Sequence, residues 1–254
     1  MTKILQTAIP FNALEEKRLP GIAPLDMADW IIVDEAYAGQ MARREALLAT
    51  QRDDVLALDP LSMAAAQELL NLVLDQVLSR ENNGFRREGD VVTCPDGRQV
   101  PILKDDPLGT LGRIAQEDFC LLDKRGDEHV LMGAVLCFPA SWKLSEKYLQ
   151  PLVGIHIPVA DYTQDIAKRV QRLFDGVRVG RPLWRYNALW YQDPELHQPR
   201  SAEEPRRIGA GSQSGPYLRS EKQSVLRLPE TGYVVFSIHT FVVAREDVLR
   251  DKTL

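Results

Sequence analysis

The sequence predicts an α+β domain built on a mainly antiparallel sheet. Apolar residues recur at helical spacing in the first third of the chain, most clearly over residues 62–80. From about residue 129 the pattern changes to that of strands, with one inserted helix, and the chain ends in a long hairpin. Helices followed by strands are typical of the α+β class. We expect one domain over residues 1–254, mainly helical in 1–110 and sheet-forming in 111–254.

Four helices are predicted before the sheet. Residues 26–34 and 37–50 carry apolar positions near helical spacing, and residues 62–80 are rich in Ala and Leu with Ser62 as a possible cap. A further short helix is predicted within residues 111–123, through Glu117 and Asp118. Adjacent residues do not share a helix face, so we expect this carboxylate pair to cap a helix or face solvent, with a polar site as the alternative.

The remaining segments are expected to form the sheet and its connections. A hairpin is predicted around Asp96-Gly97, a strand over residues 129–138, and a strand or ordered loop over 152–159. Residues 163–177 predict an amphipathic helix, residues 183–191 a two-faced strand, and residues 192–216 a long polar loop that could close over a site. Strands over 218–228 and 233–243 form the last hairpin, and a helical turn follows at 245–250.

Composition excludes several classes of function. The net charge of −5 argues against a nucleic-acid binder, and no run approaches the roughly 20 apolar residues of a membrane span. The first residues lack the apolar core of a secretory signal. Three cysteines without a C-x-x-C pair, at positions 94, 120 and 137, exclude a cysteine-ligated cluster and favour reduced thiols in the cytoplasm.

Polar side chains interrupt two segments where a core strand would be apolar. Arg219, Glu221, Gln223 and Arg227 fall on one face of the first hairpin strand. Such a face is either solvated and ion-paired or directed at a polar ligand.

Two histidines are candidates for a metal or haem ligand. His156 lies in the apolar run 153–159, and His239 lies on the second hairpin strand. An imidazole there is either a hydrogen-bonded core residue or a ligand. Zinc, P-loop, nucleotide-binding and serine-hydrolase motifs are absent from the sequence.

Taken in order, these segments resemble the haem-dependent oxidative N-demethylases, in their haem-binding α subunit. The resemblance covers roughly residues 20–245 and rests on residues 117–122 (EDFCLL), 138–142 (FPASW), 146–147 (EK), 155–159 (IHIPV), 185–187 (RYN) and 219–232 (RSEKQSVLRLPETG). It implies a PAS-like fold, one b-type haem and its iron, and monooxygenase-type removal of a methyl group from a small amine such as dimethylamine, using O₂. Electrons would come from NADPH through a separate flavin and iron–sulfur reductase subunit.

The resemblance also implies roles for individual residues. His156 becomes the proximal iron ligand, with His239 in reserve, and Arg185, Asn187 and Arg227 become cofactor-binding residues. Glu221, Arg219 and Gln223 become the catalytic polar side of the pocket, where a carboxylate suits a protonated amine. Two alternatives stay open: a non-catalytic PAS-like haem module that binds gas or another ligand, and a scaffold that has lost haem.

Overall fold

Strands of two antiparallel sheets organise the protein. The computed structural model describes residues 4–15, 21–156, 164–205 and 214–251. The strands are β1 Ala23–Pro24, β2 Leu56–Leu58, β3 Arg86–Glu88, β4 Val91–Thr93, β5 Gln99–Pro101, β6 Asp118–Arg125, β7 Glu128–Val135, β8 Leu183–Tyr191, β9 Tyr217–Arg227 and β10 Val234–Ala244. Seven of them form the large sheet, in the order β1-β8-β9-β10-β6-β7-β2. A separate three-stranded sheet joins β3, β4 and β5.

Helices cover both faces of the large sheet and confirm the α+β class. The helices are α1 Tyr37–Thr50, α2 Arg52–Val55, α3 Met63–Leu78, α4 Pro107–Ile114, α5 Leu144–Lys147, α6 Leu152–His156, α7 Gln164–Gly176 and α8 Arg245–Asp251. Among the residues that the structure describes, none of these helices is long and apolar enough to cross a membrane.

Side-chain alternation along the strands divides the apolar interior into two cores. On β6, Phe119 and Leu121 face the core shared with α1, α3 and α4, whereas Cys120 and Leu122 face the core shared with α5, α6 and α7. The three cysteines are free and buried, as expected for small apolar side chains. The second core is the one that borders the candidate site.

Several predicted elements are confirmed. The helix over 37–50 and the strand over 183–191 have the predicted bounds, and the hairpin strands β9 and β10 differ by one residue at each end. The predicted turn at Asp96-Gly97 joins β4 to β5, where Gly97 has a φ of +84°. Of the predicted long loop, residues 206–213 lie outside the described residues, as does the predicted cap Thr163.

Three predicted elements differ from the structure. Residues 152–156 of the predicted strand or loop 152–159 form helix α6, because Leu152 and Ile155 are three residues apart and both face the second core; residues 157–159 lie outside the described residues. The helix before β6 ends at Ile114, and Asp118 already begins the strand. Asp106 caps that helix by accepting a hydrogen bond from the backbone N–H of Gly109 at 3.1 Å. Residues 27–29 form only a 3₁₀ turn within the predicted helix 26–34.

The carboxylates Glu117 and Asp118 are buried, so the expectation of caps or solvated charge is wrong. Asp118 pairs with Arg44 at 2.7 Å and accepts the backbone N–H groups of Cys137 and Phe138. Glu117 is 2.9 Å from Nδ1 of His239. The first pair ties the start of β6 to α1, and the second ties it to β10.

His239 is enclosed by carboxylates. Its Nδ1 meets Glu117, and its Nε2 lies 3.2 Å from Asp34. Burial by itself lowers the pKa of His239, but hydrogen bonds and charge from Asp34 and Glu117 outweigh it and raise the pKa to about 9. The ring is therefore a buried cation at neutral pH, with both nitrogens engaged.

Candidate functional site

A cavity of about 740 Å³ lies between the sheet and helices α5, α6 and α7. Its volume falls within the range of small-molecule and cofactor sites, roughly 300–1,000 Å³. Its apolar wall combines helix and strand side chains: Cys120, Leu122, Leu131, Leu152, Ile155, Val170, Leu173, Phe174, Leu183, Val225, Phe236 and Ile238. Leu189 also lines it and is 52% exposed, which marks an opening beside β8.

The polar wall of the cavity comes from two neighbouring strands. β8 and β9 pair antiparallel, and their register sets Asn187 opposite Glu221 and Arg185 opposite Gln223. Alternate residues line the cavity along β8 and over residues 219–225 of β9, as the alternation in the sequence predicted. Five of the predicted site residues are thereby brought together: Arg185, Asn187, Arg219, Glu221 and Gln223.

The Glu221 carboxylate is held in a fixed orientation. Its Oε2 accepts hydrogen bonds from the side-chain amides of Asn187 and Gln223, each at 3.1 Å. Its Oε1 lies 3.8 Å from a guanidinium nitrogen of Arg219 and accepts no hydrogen bond from a described residue. One oxygen is thus oriented by the protein, and the other is left for a donor within the cavity.

Arg219 joins the sheet to the loop that follows β8. The side chain is 2% exposed, and its terminal nitrogens donate to the backbone carbonyls of Leu196 and Phe138 at 2.9 and 2.7 Å. Its Nε is buried without a partner among the described residues. The geometry makes Arg219 a structural anchor at the cavity wall, 5.9 Å above the ring of Tyr191.

Arg185 presents a guanidinium to the cavity without a hydrogen-bond partner in the described part of the chain. Its Nε is buried and unsatisfied. Burial lowers the pKa of Arg185, and the charge of Glu221 partly opposes that shift. An unpaired, partly buried guanidinium is suited to a carboxylate ligand.

His156 is the last residue of α6, directly after the cavity-lining Ile155. Its backbone is described, whereas its side chain lies outside the described part of the structure. The predicted ligand therefore comes directly after a residue of the helical wall of the cavity. Glu221 belongs to the other wall, which the sheet forms.

Two predicted cofactor residues lie elsewhere. His239 is on the opposite side of the sheet, where both of its ring nitrogens face carboxylates, so its expected role as a reserve iron ligand does not agree with its position. Arg227 does not line the cavity. Its guanidinium donates to the carbonyls of Phe174, Val177 and Gly232 at 2.7–2.8 Å and fixes the end of α7.

Sequence reasoning missed three charged residues of the cavity. Lys147 is 6% exposed and reaches the cavity from the end of α5, and Arg200 and Glu146 line it near the loop. The sequence signal that could have identified Glu146 and Lys147 is their place in one of the segments that carry the family resemblance. The described lining therefore holds four cations, Lys147, Arg185, Arg200 and Arg219, against the two carboxylates Glu146 and Glu221.

The fold is of the α+β class and encloses a cavity with one apolar and one polar wall. The chain belongs to the family described as haem-dependent oxidative N-demethylase, alpha subunit-like. The model of that family matches residues 21–253. The family's name implies dependence on haem and an assembly of more than one subunit.

The cavity fits a haem on physical grounds. Its apolar wall suits a macrocycle, and its surplus of cations suits two carboxylate substituents. A histidine follows the apolar wall at the end of α6. Among the described residues, no group of three His, Cys, Asp or Glu side chains is arranged to hold a metal ion by itself.

Proposed function

We propose that this protein is the haem-binding subunit of an enzyme that oxidatively removes a methyl group from a small amine of the dimethylamine kind. The balanced reaction takes the methylated amine, O₂, two electrons and two protons, and releases the demethylated amine, formaldehyde and water. The observation that carries the proposal is the Glu221 carboxylate, oriented by two amides and turned to the same cavity as the end of α6.

In this proposal His156 would ligate the iron of a haem b, and the apolar wall of the cavity would hold its macrocycle. The haem iron, when bound, supplies the activation of O₂. Arg185 is the preferred partner for a haem carboxylate, because its guanidinium faces the cavity and donates no hydrogen bond to a described residue. Neither Arg227 nor His239 is given a cofactor role, since their side chains are engaged elsewhere.

Glu221 holds the amine. A small alkylamine is protonated near neutral pH, as a lysine side chain is, and its N–H would donate to Oε1. Asn187 and Gln223 fix the carboxylate through Oε2, so the amine nitrogen is held at one place on the polar wall. Preorganised polar groups of this kind contribute without further rearrangement during the reaction.

The rest of the cavity restricts the reaction to the bound amine. Apolar side chains on both the sheet and the helices exclude water from the methyl group, which strengthens the interaction with Glu221. We place the electron source on a separate flavin and iron–sulfur reductase that draws on NADPH. Three free, buried cysteines support a reducing, cytoplasmic setting.

The first experiment is an absorbance spectrum of protein produced with a haem precursor, for wild type and for His156→Ala. A Soret band that is lost or shifted in the variant supports the axial assignment. A band unchanged by the substitution contradicts it, and a wild type without any band removes haem from the proposal.

The second experiment tests the amine site. Glu221→Gln should keep haem binding but raise, by about 10- to 100-fold, the amine concentration that gives half of the amine-induced spectral change. This is the effect of losing one charge-assisted hydrogen bond. Formaldehyde formation in the presence of a reductant should fall in parallel. Haem and gas binding without amine-dependent formaldehyde in the wild type would identify a non-catalytic haem module instead.

A further inference from the structure

We propose that Lys147 is a positioning residue for the axial histidine: its ammonium fixes the peptide group that leads into His156. The inference rests on the proposed function, since it concerns how this chain presents His156 to a haem. It starts from the shortness of α6, a helix of five residues.

A helix this short cannot hold its own end in place. The last carbonyl groups of any helix lack partners within the helix. In α6 the N–H of Ile155 bonds to the carbonyl of Pro151 at 2.9 Å, but the carbonyl of Ile155 points beyond the helix end. That carbonyl and the N–H of His156 belong to one rigid, planar peptide group.

Lys147 supplies the missing partner. Its Nζ donates to the carbonyl oxygen of Ile155 at 2.6 Å. A cation at this end of a helix also matches the helix dipole. Holding that carbonyl fixes the plane of the peptide group and so restrains the backbone nitrogen of His156.

The other end of the contact is firmly attached to the sheet. Leu149 and Gln150, which connect α5 to α6, exchange backbone hydrogen bonds with Leu131 of β7 at 2.8 and 3.1 Å. Pro151 forms a bridge with Val130 of the same strand. Lys147 therefore reaches α6 from a segment that is held at the edge of the cavity.

Burying the charged ammonium of Lys147 costs free energy, which argues that the residue has a role at the site. Lys147 is 6% exposed, and its Nζ forms one hydrogen bond and no ion pair with the described residues. The neighbouring Glu146 instead accepts the backbone N–H of Ala202 at 3.0 Å. An ammonium group without a carboxylate partner is unfavourable in a core and is retained where its position serves a site.

The test compares three variants with wild type. Lys147→Met removes the donor and the charge, Lys147→Gln keeps a donor without the charge, and Lys143→Met is the matched control. Lys143 is a nearby lysine whose ammonium lies outside the cavity, 3.5 Å from Glu204. Each protein is loaded with ferric haem, and haem release to an excess of apomyoglobin is timed.

We expect Lys147→Met to release haem about tenfold faster or more, the order set by one charge-assisted hydrogen bond. Its electron paramagnetic resonance spectrum should show a changed axial ligand field. Lys147→Gln should lie closer to wild type than Lys147→Met, and Lys143→Met should equal wild type. Equal release rates and spectra for Lys147→Met and wild type would overturn the proposal.

Two further measurements separate this role from others. With the dimethyl ester of protohaem, which has no free carboxylate, the effect of Lys147→Met should persist; its disappearance would show that Lys147 binds a haem carboxylate instead. In haem-free protein, amide hydrogen exchange over residues 152–156 should be faster in Lys147→Met, and unchanged exchange would count against the positioning role. A wild type that binds no haem would defeat the proposed function itself, and the role of Lys147 with it.

Discussion

The buried histidine opposite the cavity gives a prediction about stability and pH. His239 lies between Glu117 and Asp34, and its pKa is raised to about 9 from an ordinary value of 6.5. A group whose pKa is raised by folding binds its proton more tightly in the folded state. Its contribution to stability is therefore fully present below pH 6.5 and is lost as the pH rises through about 9.

The size of the effect follows from the shift. At about 1.4 kcal/mol per pKa unit, raising the pKa from 6.5 to about 9 corresponds to about 3–4 kcal/mol of unfolding free energy. His239→Gln removes this contribution. The difference in unfolding free energy between wild type and variant should shrink by about 3 kcal/mol between pH 6.5 and pH 9.

The assay is urea unfolding at a series of pH values, followed by circular dichroism. His129→Gln is the matched control, because burial lowers the pKa of His129 and a hydrogen bond from Gln171 only partly opposes this. His129 lowers the stability of the fold only as the pH falls below 6.5. The difference in unfolding free energy between wild type and His129→Gln should therefore stay constant from pH 6.5 to pH 9.

Two results would refute the reasoning. One is a difference between wild type and His239→Gln that stays constant across this pH range. The other is an NMR titration of the wild-type His239 ring with a midpoint near 6.5, the ordinary value. The NMR measurement remains decisive even where the variant is too unstable for unfolding experiments.

Three further substitutions test the framework around the site by chemical denaturation. Asp118→Asn leaves Arg44 with an uncompensated buried charge and should cost about 3–5 kcal/mol; a loss under 1 kcal/mol would contradict the pairing. Arg227→Met removes three donated hydrogen bonds, so it should cost about 2–3 kcal/mol and speed amide exchange at the end of α7, whereas unchanged exchange would argue against its anchoring role. Gly133→Ala would place a Cβ 2.7 Å from a methyl carbon of Leu58 and should cost about 1–3 kcal/mol; an unchanged midpoint would show that Leu58 moves aside freely.

Strand periodicity made much of the polar wall predictable. Alternation in β8 and β9 has a period of two, so the face shared by Arg219, Glu221 and Gln223 follows once the strand is assigned. The same rule sets His239 on the face opposite to Phe236 and Ile238, which line the cavity. Local pattern is sufficient here because backbone geometry alone determines the face.

Contacts between residues that are far apart in the chain could not be predicted from the sequence. Glu117 and His239 are 122 residues apart, and nothing local distinguishes their pairing from capping or solvation. The β-branched residues of helix α6 favour an extended strand or loop, whereas its helical conformation depends on packing against β7. The contact between Lys147 and the carbonyl of Ile155 likewise depends on where the end of α6 lies.

Arg219 couples the loop after β8 to the Glu221 carboxylate of the cavity. Its guanidinium donates hydrogen bonds to the carbonyls of Leu196 in the loop and Phe138 after β7. The same group lies 3.8 Å from Oε1 of Glu221. The loop continues to Arg200 and Ala202, which line the cavity. If the cavity binds an amine as proposed, a change in this loop that admits a bulkier amine also moves the charge that faces Glu221, so the shape and the electrostatics of the pocket change together.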